Sequence, residues 1–94
     1  MWAWARAEGV PVVMSSFLDT SLGRSGALHL AASLGGELRD AGLATGGFLA
    51  REPVATPLAD DPEVAVPSAP GLGFAPDPHA LRGCGTGEPW EIRA

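Results

Sequence analysis

Lysine is absent from this chain of 94 residues, and its six basic residues are all arginines. Eleven acidic residues outnumber them, so the formal net charge is −5. Nucleic acids and anionic membranes bind proteins through clusters of lysine and arginine. We therefore expect neither a nucleic acid nor a membrane among the partners of this chain.

Cysteine and long apolar runs are also scarce. Cys84 is the single cysteine, which excludes a disulfide framework and a zinc site built from cysteines. The longest stretch without a charged residue, residues 64–76, is short and interrupted by proline, so no segment is long enough to span a bilayer. Arg6 is followed closely by Glu8, and the unbroken apolar core of a secretory signal is missing. The sequence therefore predicts a cytoplasmic protein.

The residues that build protein cores are few. Leu, Val, Ile and Phe together number 21 of the 94 residues. This fraction of about 22% is just above the level of roughly 20% below which disorder is favoured. An independent fold of this length would be marginal, because it buries only about 60–65% of its unfolded surface. The composition changes near residue 53, since residues 53–94 hold eight of the nine prolines. We predict an ordered part over residues 1–52 and an extended, turn-rich part over residues 53–94.

The first part has the pattern of an α/β unit. Residues 1–8 are predicted to be helical, with Gly9 as the stop. Residues 10–14 (VPVVM) form an uninterrupted apolar run that is typical of a parallel strand buried on both faces. A polar loop follows, and residues 21–34 are predicted to form a helix that ends at Gly35-Gly36. A lone parallel strand needs neighbours, so we expect the chain to be part of something larger.

The predicted helix has one apolar and one polar face. Spacings of three and four put the apolar side chains together; they are Ala27, Leu30, Ala31, Leu34 and Leu38. The opposite face carries Ser25, His29 and Ser33. We predict that the apolar face is the buried one.

The second part is predicted to contain short edge strands over residues 54–58 and 63–67, joined by a turn at Asp60-Asp61-Pro62. Asp77 should cap a single helical turn over residues 77–82, with Pro78 at its first position. The last dozen residues are predicted to be a loose tail.

The loop after the predicted strand is the strongest candidate site. Its main-chain N–H groups and the start of the following helix favour an anion such as a carboxylate or a phosphate. Small side chains would let the anion approach; these are Ser15, Ser16, Thr20 and Ser21. The alternative is that Asp19, Thr20 or Ser21 merely caps the helix.

The other polar residues are weaker candidates for chemistry. His29, His79 and Cys84 have no partner at a spacing typical of catalysis or metal binding. Asp60, Asp61 and Glu63 are more typical of a solvated turn than of a metal site.

Residues 11–34 resemble the last strand and last helix of the barrel of o-succinylbenzoate synthases, which belong to the enolase superfamily. Residues 15–23 (SSFLDTSLG) resemble the strand-end signature of that family, and residues 41–49 (AGLATGGFL) resemble the segment that leaves the barrel. Residues 70–74 (PGLGF), followed by Asp77 and Leu81, are similar to a C-terminal pattern of the superfamily.

The resemblance implies an α/β fold: the C-terminal fragment of a (β/α)₇β TIM-like barrel, followed by an irregular Pro/Gly-rich segment over residues 53–94. It also implies a lyase of menaquinone biosynthesis that uses Mg²⁺ and two lysines to dehydrate a small-molecule carboxylate substrate. In that family a main-chain N–H at the end of the last strand and a glycine N–H after the last helix hold the succinyl carboxylate. These positions match Ser15 and Gly42.

The departures from the family are large. Both lysines and the carboxylates that hold Mg²⁺ are missing, so we expect the chain to be inactive alone, with the missing N-terminal part of the barrel as a partner. Another enolase-superfamily cycloisomerase or epimerase is an alternative, although Ser-Ser-Phe replaces the Asp-x-Asp pair of dipeptide epimerases. A non-catalytic gene remnant is the other alternative.

Overall fold

A computed structural model describes residues 1–35, 39–85 and 87 of the chain. Its helices, in chain order, are α1 (Trp2–Ala7), α2 (Ser21–Ser33) and α3 (Pro78–Cys84), with a 3₁₀ turn at Gly46–Phe48 between the last two. The Cα radius of gyration is 15.5 Å, whereas a compact domain of this length has a radius of about 12 Å. The chain is therefore more extended than an ordinary small domain.

The helix predicted at the N-terminus is confirmed, and so is its stop. Gly9 has a φ of 65°, a left-handed conformation that glycine adopts without a steric penalty. Its N–H donates to Arg6 O at 3.2 Å, and the Val10 N–H donates to Ala5 O at 2.9 Å. This pair of bonds is the Schellman arrangement, which satisfies the last carbonyls of α1 and turns the chain out of the helix.

The helix predicted over residues 21–34 is confirmed as α2, but the prediction of its buried face is wrong. Ser21, Arg24 and Ser25 are completely buried, whereas Leu30 on the predicted apolar face is 52% exposed. The cause is hydrogen bonding. Arg24 donates to Leu58 O and Ser25 donates to Leu72 O, both later in the chain, and these bonds decide which face of α2 is buried. Gly36 and Leu38 lie outside the described residues.

The predicted α/β barrel fragment is wrong, because the described residues contain no strand longer than one isolated parallel bridge, between Ser15 and Gly42. Residues 12–16 are extended, and Val12 O accepts a bond from the Arg39 N–H at 3.1 Å. Val13, predicted to be buried in a sheet, is 58% exposed. A parallel strand needs a neighbour on each edge and a layer on each face, and in the described ranges residues 39–42 are all that pairs with it.

The edge strands predicted over residues 54–58 and 63–67 are also wrong, since neither range forms a strand. Proline supplies no N–H for a ladder, and this part bends instead. Val54 and Leu58 are nevertheless buried, and with Ala5 and Pro53 they are the buried apolar residues among those that the structure describes. The apolar core is therefore very small.

The helix predicted at Asp77 is confirmed and reaches Cys84. Asp77 accepts a hydrogen bond from the His79 N–H at 2.8 Å, and Pro78 stands at the first helical position. The Asp77 N–H donates to Pro53 O at 2.8 Å, which ties α3 to the start of the second part. No helix within the described ranges is long and apolar enough to cross a membrane.

Candidate functional site

The two residues that the resemblance assigns to carboxylate binding lie side by side. Ser15 and Gly42 form the parallel bridge, and both are exposed. Gly42 donates its N–H to Met14 O at 2.8 Å and accepts the Ser16 N–H at 3.2 Å. The Ser15 N–H therefore points to the other edge of the extended segment, where the described residues offer it no partner. A carboxylate can reach Ser15 directly, whereas the Gly42 N–H would first have to leave Met14 O.

A second contact holds these two segments together. The Ser16 and Thr45 hydroxyl oxygens are 3.1 Å apart, and the Thr45 N–H donates to Leu43 O at 2.9 Å. The turn that follows Gly42 is thus fixed both to itself and to the residue next to Ser15.

Arg24 is the centre of the largest polar cluster in the described structure. One guanidinium nitrogen donates to Leu43 O at 3.2 Å and to the Asp60 carboxylate. The other donates to Leu58 O at 2.9 Å and lies 3.5 Å from Glu52 Oε1. We call Arg24, Glu52 and Asp60, with the Leu43 and Leu58 carbonyls, the Arg24 cluster. Because an unpaired buried charge is strongly destabilising, this network is the main reason that α2 packs as it does.

Asp60 connects the Arg24 cluster to the 3₁₀ turn. Its two carboxylate oxygens accept the Gly46 N–H at 3.2 Å and the Gly47 N–H at 2.8 Å. Partial removal from water raises the pKa of Asp60, but the bonds from Gly46, Arg24 and Gly47, with the arginine charge, outweigh it and hold the pKa below its ordinary value. Asp60 is therefore an ionised partner of Arg24, and its side chain is still 37% exposed, in agreement with the solvated position that the sequence predicted.

Gly46 makes room for the Arg24 cluster. A Cβ at this position would overlap the guanidinium and lie 2.8 Å from its central carbon. At Gly47 a Cβ would meet only an ordinary contact, 3.7 Å from an Asp60 oxygen. Close approach of the backbone to Arg24 thus requires glycine at position 46.

The start of α2 is paired with a carboxylate of the chain itself. Glu52 accepts the Ser21 N–H at 2.8 Å, where the helix dipole favours negative charge. Thr20 holds the N-cap position without a side-chain bond, and the Asp19 carboxylate accepts the Phe17 N–H at 3.1 Å. A carboxylate of the chain itself, Glu52, therefore occupies this helix start, and the binding of an external anion in the loop stays a prediction.

A cavity of about 430 Å³ lies beside the Arg24 cluster. Its walls combine apolar side chains with three carboxylates: Leu28, Leu43, Leu58, Val64, Asp40, Asp60 and Asp61. The negative rim repels a carboxylate ligand, so this cavity does not suit the substrate class that the resemblance implies.

The remaining sequence candidates stay apart from one another. His29 is half-buried on α2, and its Nε2 has no partner in the described part of the chain. His79 and Cys84 are exposed on α3.

The described residues do not fit the Mg²⁺ that the resemblance implies. No group of three or more histidine, cysteine, aspartate or glutamate side chains comes together within the described ranges. Asp60 and Glu52 approach a common centre, but that centre is the guanidinium of Arg24. Their oxygens also accept main-chain N–H groups, so they are not available as magnesium ligands.

No family model matches this chain, and no curated protein or solved structure is similar to it. The sequence reasoning missed Arg24 and Glu52 and dismissed Asp60. One signal was available: Arg24 stands among small residues, in Ser21-Leu22-Gly23-Arg24-Ser25-Gly26. Small neighbours let other backbone segments come close to an arginine, where its terminal nitrogens find acceptors; the Arg24 Nε has no partner among the described residues.

Proposed function

We propose that this chain is a catalytically incomplete part of a lyase resembling o-succinylbenzoate synthase, and that it contributes a carboxylate-binding segment around Ser15. The observation that carries this function is the contact between Ser15 and Gly42, the two positions that the resemblance pairs at one substrate carboxylate. Ser15 is exposed and its N–H has no partner among the described residues, so this N–H is the donor that a carboxylate would reach first.

The chemistry of the chain agrees with an incomplete role. It has no lysine to remove a proton next to a carboxylate, and the acidic residues at the Arg24 cluster are already paired. A second polypeptide would have to supply the lysines and the metal-binding carboxylates. In this role, the residues around Ser15 bind and orient a substrate carboxylate, while the other chain carries out the proton transfers.

Exposed apolar side chains favour a partner of this kind. Val10, Val13, Phe17 and Leu18 are each between 45% and 81% exposed, all on the segment that carries Ser15. Uncovered apolar surface of this density is typical of an interface.

The test is an amide NMR titration of the ¹⁵N-labelled chain with succinate, with succinamide as the neutral control. We expect saturable shifts at the Ser15 and Ser16 amides, and a shift at Gly42 if its N–H exchanges Met14 O for the ligand. Succinamide should cause none. Shifts confined to other residues, or equal shifts with succinamide, would contradict the proposal that a carboxylate binds at Ser15. Measurable dehydration of the succinyl-hydroxycyclohexadiene-carboxylate precursor by the chain alone would contradict the incomplete role.

A non-catalytic gene remnant is the second candidate, favoured by the small apolar core of Ala5, Val54 and Leu58. A thermal melt followed by circular dichroism separates the two. A remnant without a defined fold gives a flat, disordered signal and no succinate shifts.

A further inference from the structure

The Arg24 cluster and the Ser15–Gly42 bridge share one loop. Arg24 donates to Leu43 O, the residue directly after Gly42. On the far side of that loop, Asp60 holds the Gly46 and Gly47 N–H groups. The loop over residues 42–47 is therefore fixed at both ends by one ion pair, between the buried Arg24 and the exposed Asp60.

We propose that the Arg24–Asp60 pair is a positioning device that holds Gly42 in register with Ser15, and so sets the affinity of the segment for a carboxylate. Arg24 and Asp60 do not touch the bridge themselves. They act through the main chain of the loop, and this role rests on the proposed function.

The geometry explains why two charged groups are used. The Arg24 side chain is 1% exposed and comes from α2, whereas the Asp60 side chain is 37% exposed and comes from the second part of the chain. The guanidinium presents several donors in a fixed plane, so Leu43 O and Asp60 are held in one orientation relative to α2. A neutral or flexible pair would leave residues 42–47 free to slip against residues 12–16.

The Ser16–Thr45 contact makes the coupling local. The two hydroxyl oxygens are 3.1 Å apart, and Thr45 belongs to the same loop whose Leu43 O accepts from Arg24. Movement of the loop away from Arg24 therefore pulls on Ser16, whose N–H donates to Gly42 O at 3.2 Å. The first amides to respond should be those of Gly42 and Ser16.

The experiment is hydrogen exchange by NMR on Asp60→Asn, with Asp61→Asn as the matched control. Asp61 is exposed, and its substitution changes the charge equally without removing a bond to Arg24. In D60N we expect exchange at Gly42 and Ser16 to speed up about tenfold, as the loss of a charge-assisted hydrogen bond predicts. Amides inside α2 should stay within about twofold of the original chain, because one exposed end of the cluster is changed and not the buried arginine.

Succinate affinity is the second readout. It should fall in D60N by a factor similar to the change in exchange and stay constant in D61N. Asp60→Glu keeps the charge, so its exchange rates at Gly42 and Ser16 and its succinate affinity should lie between those of D60N and the original chain. Unchanged exchange at Gly42 and Ser16 in folded D60N would overturn the positioning role, as would an equal acceleration throughout α2 or a loss of its helical circular dichroism.

These experiments test the carboxylate site and the positioning role of the Arg24–Asp60 pair separately. If the original chain binds no succinate, the carboxylate site is wrong, and the exchange rates still decide whether the pair holds the bridge. If exchange responds as expected but D60N binds succinate as tightly as the original chain does, the pair does not control the site.

Discussion

Replacement of Arg24 by methionine should destabilise the chain more than any other single change in a charged residue. The guanidinium is completely buried, and its removal leaves two carboxylates facing each other with no positive charge between them. Methionine keeps the approximate length of the side chain, so the loss is mainly electrostatic and in hydrogen bonds rather than in volume.

The magnitude follows from the exposure of the partners. Breaking a buried ion pair costs about 3–5 kcal/mol. The Glu52 side chain is 10% exposed and cannot recover its hydration, whereas the Asp60 side chain is 37% exposed and recovers part of it. We therefore expect a loss of about 3 kcal/mol, at the lower end of that range. A domain of this length has about 5–14 kcal/mol of stability in total, so between about a fifth and three fifths of it should disappear.

Urea unfolding followed by circular dichroism measures the loss. With a slope of about 1 kcal/mol per molar, typical of a small protein, the midpoint should fall by about 3 M. Arg39→Met is the matched control, since Arg39 is exposed and its loss should change stability by less than about 0.5 kcal/mol. Arg24→Lys should lie between them, because an ammonium group keeps the charge and cannot serve both sides of the cluster. A loss below about 1 kcal/mol in R24M would refute the view that this network holds the fold.

Three further predictions concern the same cluster. The pKa of Asp60 is lowered on folding, so its ionised form stabilises the folded chain. This contribution is complete above the ordinary aspartate pKa of about 3.9 and disappears as the pH falls through the lower folded value. Acid unfolding should show this loss of stability in the original chain and not in Asp60→Asn. Gly46→Ala should destabilise by more than about 1 kcal/mol because its Cβ meets Arg24, whereas Gly47→Ala should be tolerated, and equal melting temperatures would contradict this difference. Ser21→Ala removes an oxygen that accepts a buried main-chain N–H at 2.9 Å and should cost about 1–3 kcal/mol in urea unfolding; an unchanged midpoint would show that water replaces the hydroxyl.

The helices could be predicted from the sequence because their signals are local. Gly9 ends α1 through its own backbone conformation, and Asp77 with Pro78 starts α3 through contacts within one turn. Signals of this kind depend on neighbours in sequence, and the folded environment does not override them.

The strand and the buried helix face could not be predicted in this way. Residues 10–14 have the composition of an interior strand, but a strand forms only where other strands pair with it, and the described residues provide the single bridge at Ser15 and Gly42. The face of α2 is decided by Arg24, whose partners come from residues far along the chain. Apolar periodicity cannot detect an arginine that is buried because distant carbonyls and carboxylates surround it.

The sequence predicted two residues of the candidate site, but it did not predict the charged groups that lie next to it. Ser15 and Gly42 came from the resemblance, and the structure places them in contact; their role in binding stays a prediction. Glu52 at the start of α2 could not be foreseen, because nothing in the local sequence around Ser21 indicates which distant carboxylate will reach it.

The missing side chain at Gly46 makes the effect of a substitution at position 46 depend on which residue stands at position 24. While arginine occupies position 24, a Cβ at position 46 collides with its guanidinium; a smaller residue at position 24 removes this collision. The same substitution is thus harmful in one genetic background and harmless in another. A chain that has filled position 46 can therefore accept arginine at position 24 only after glycine returns at position 46.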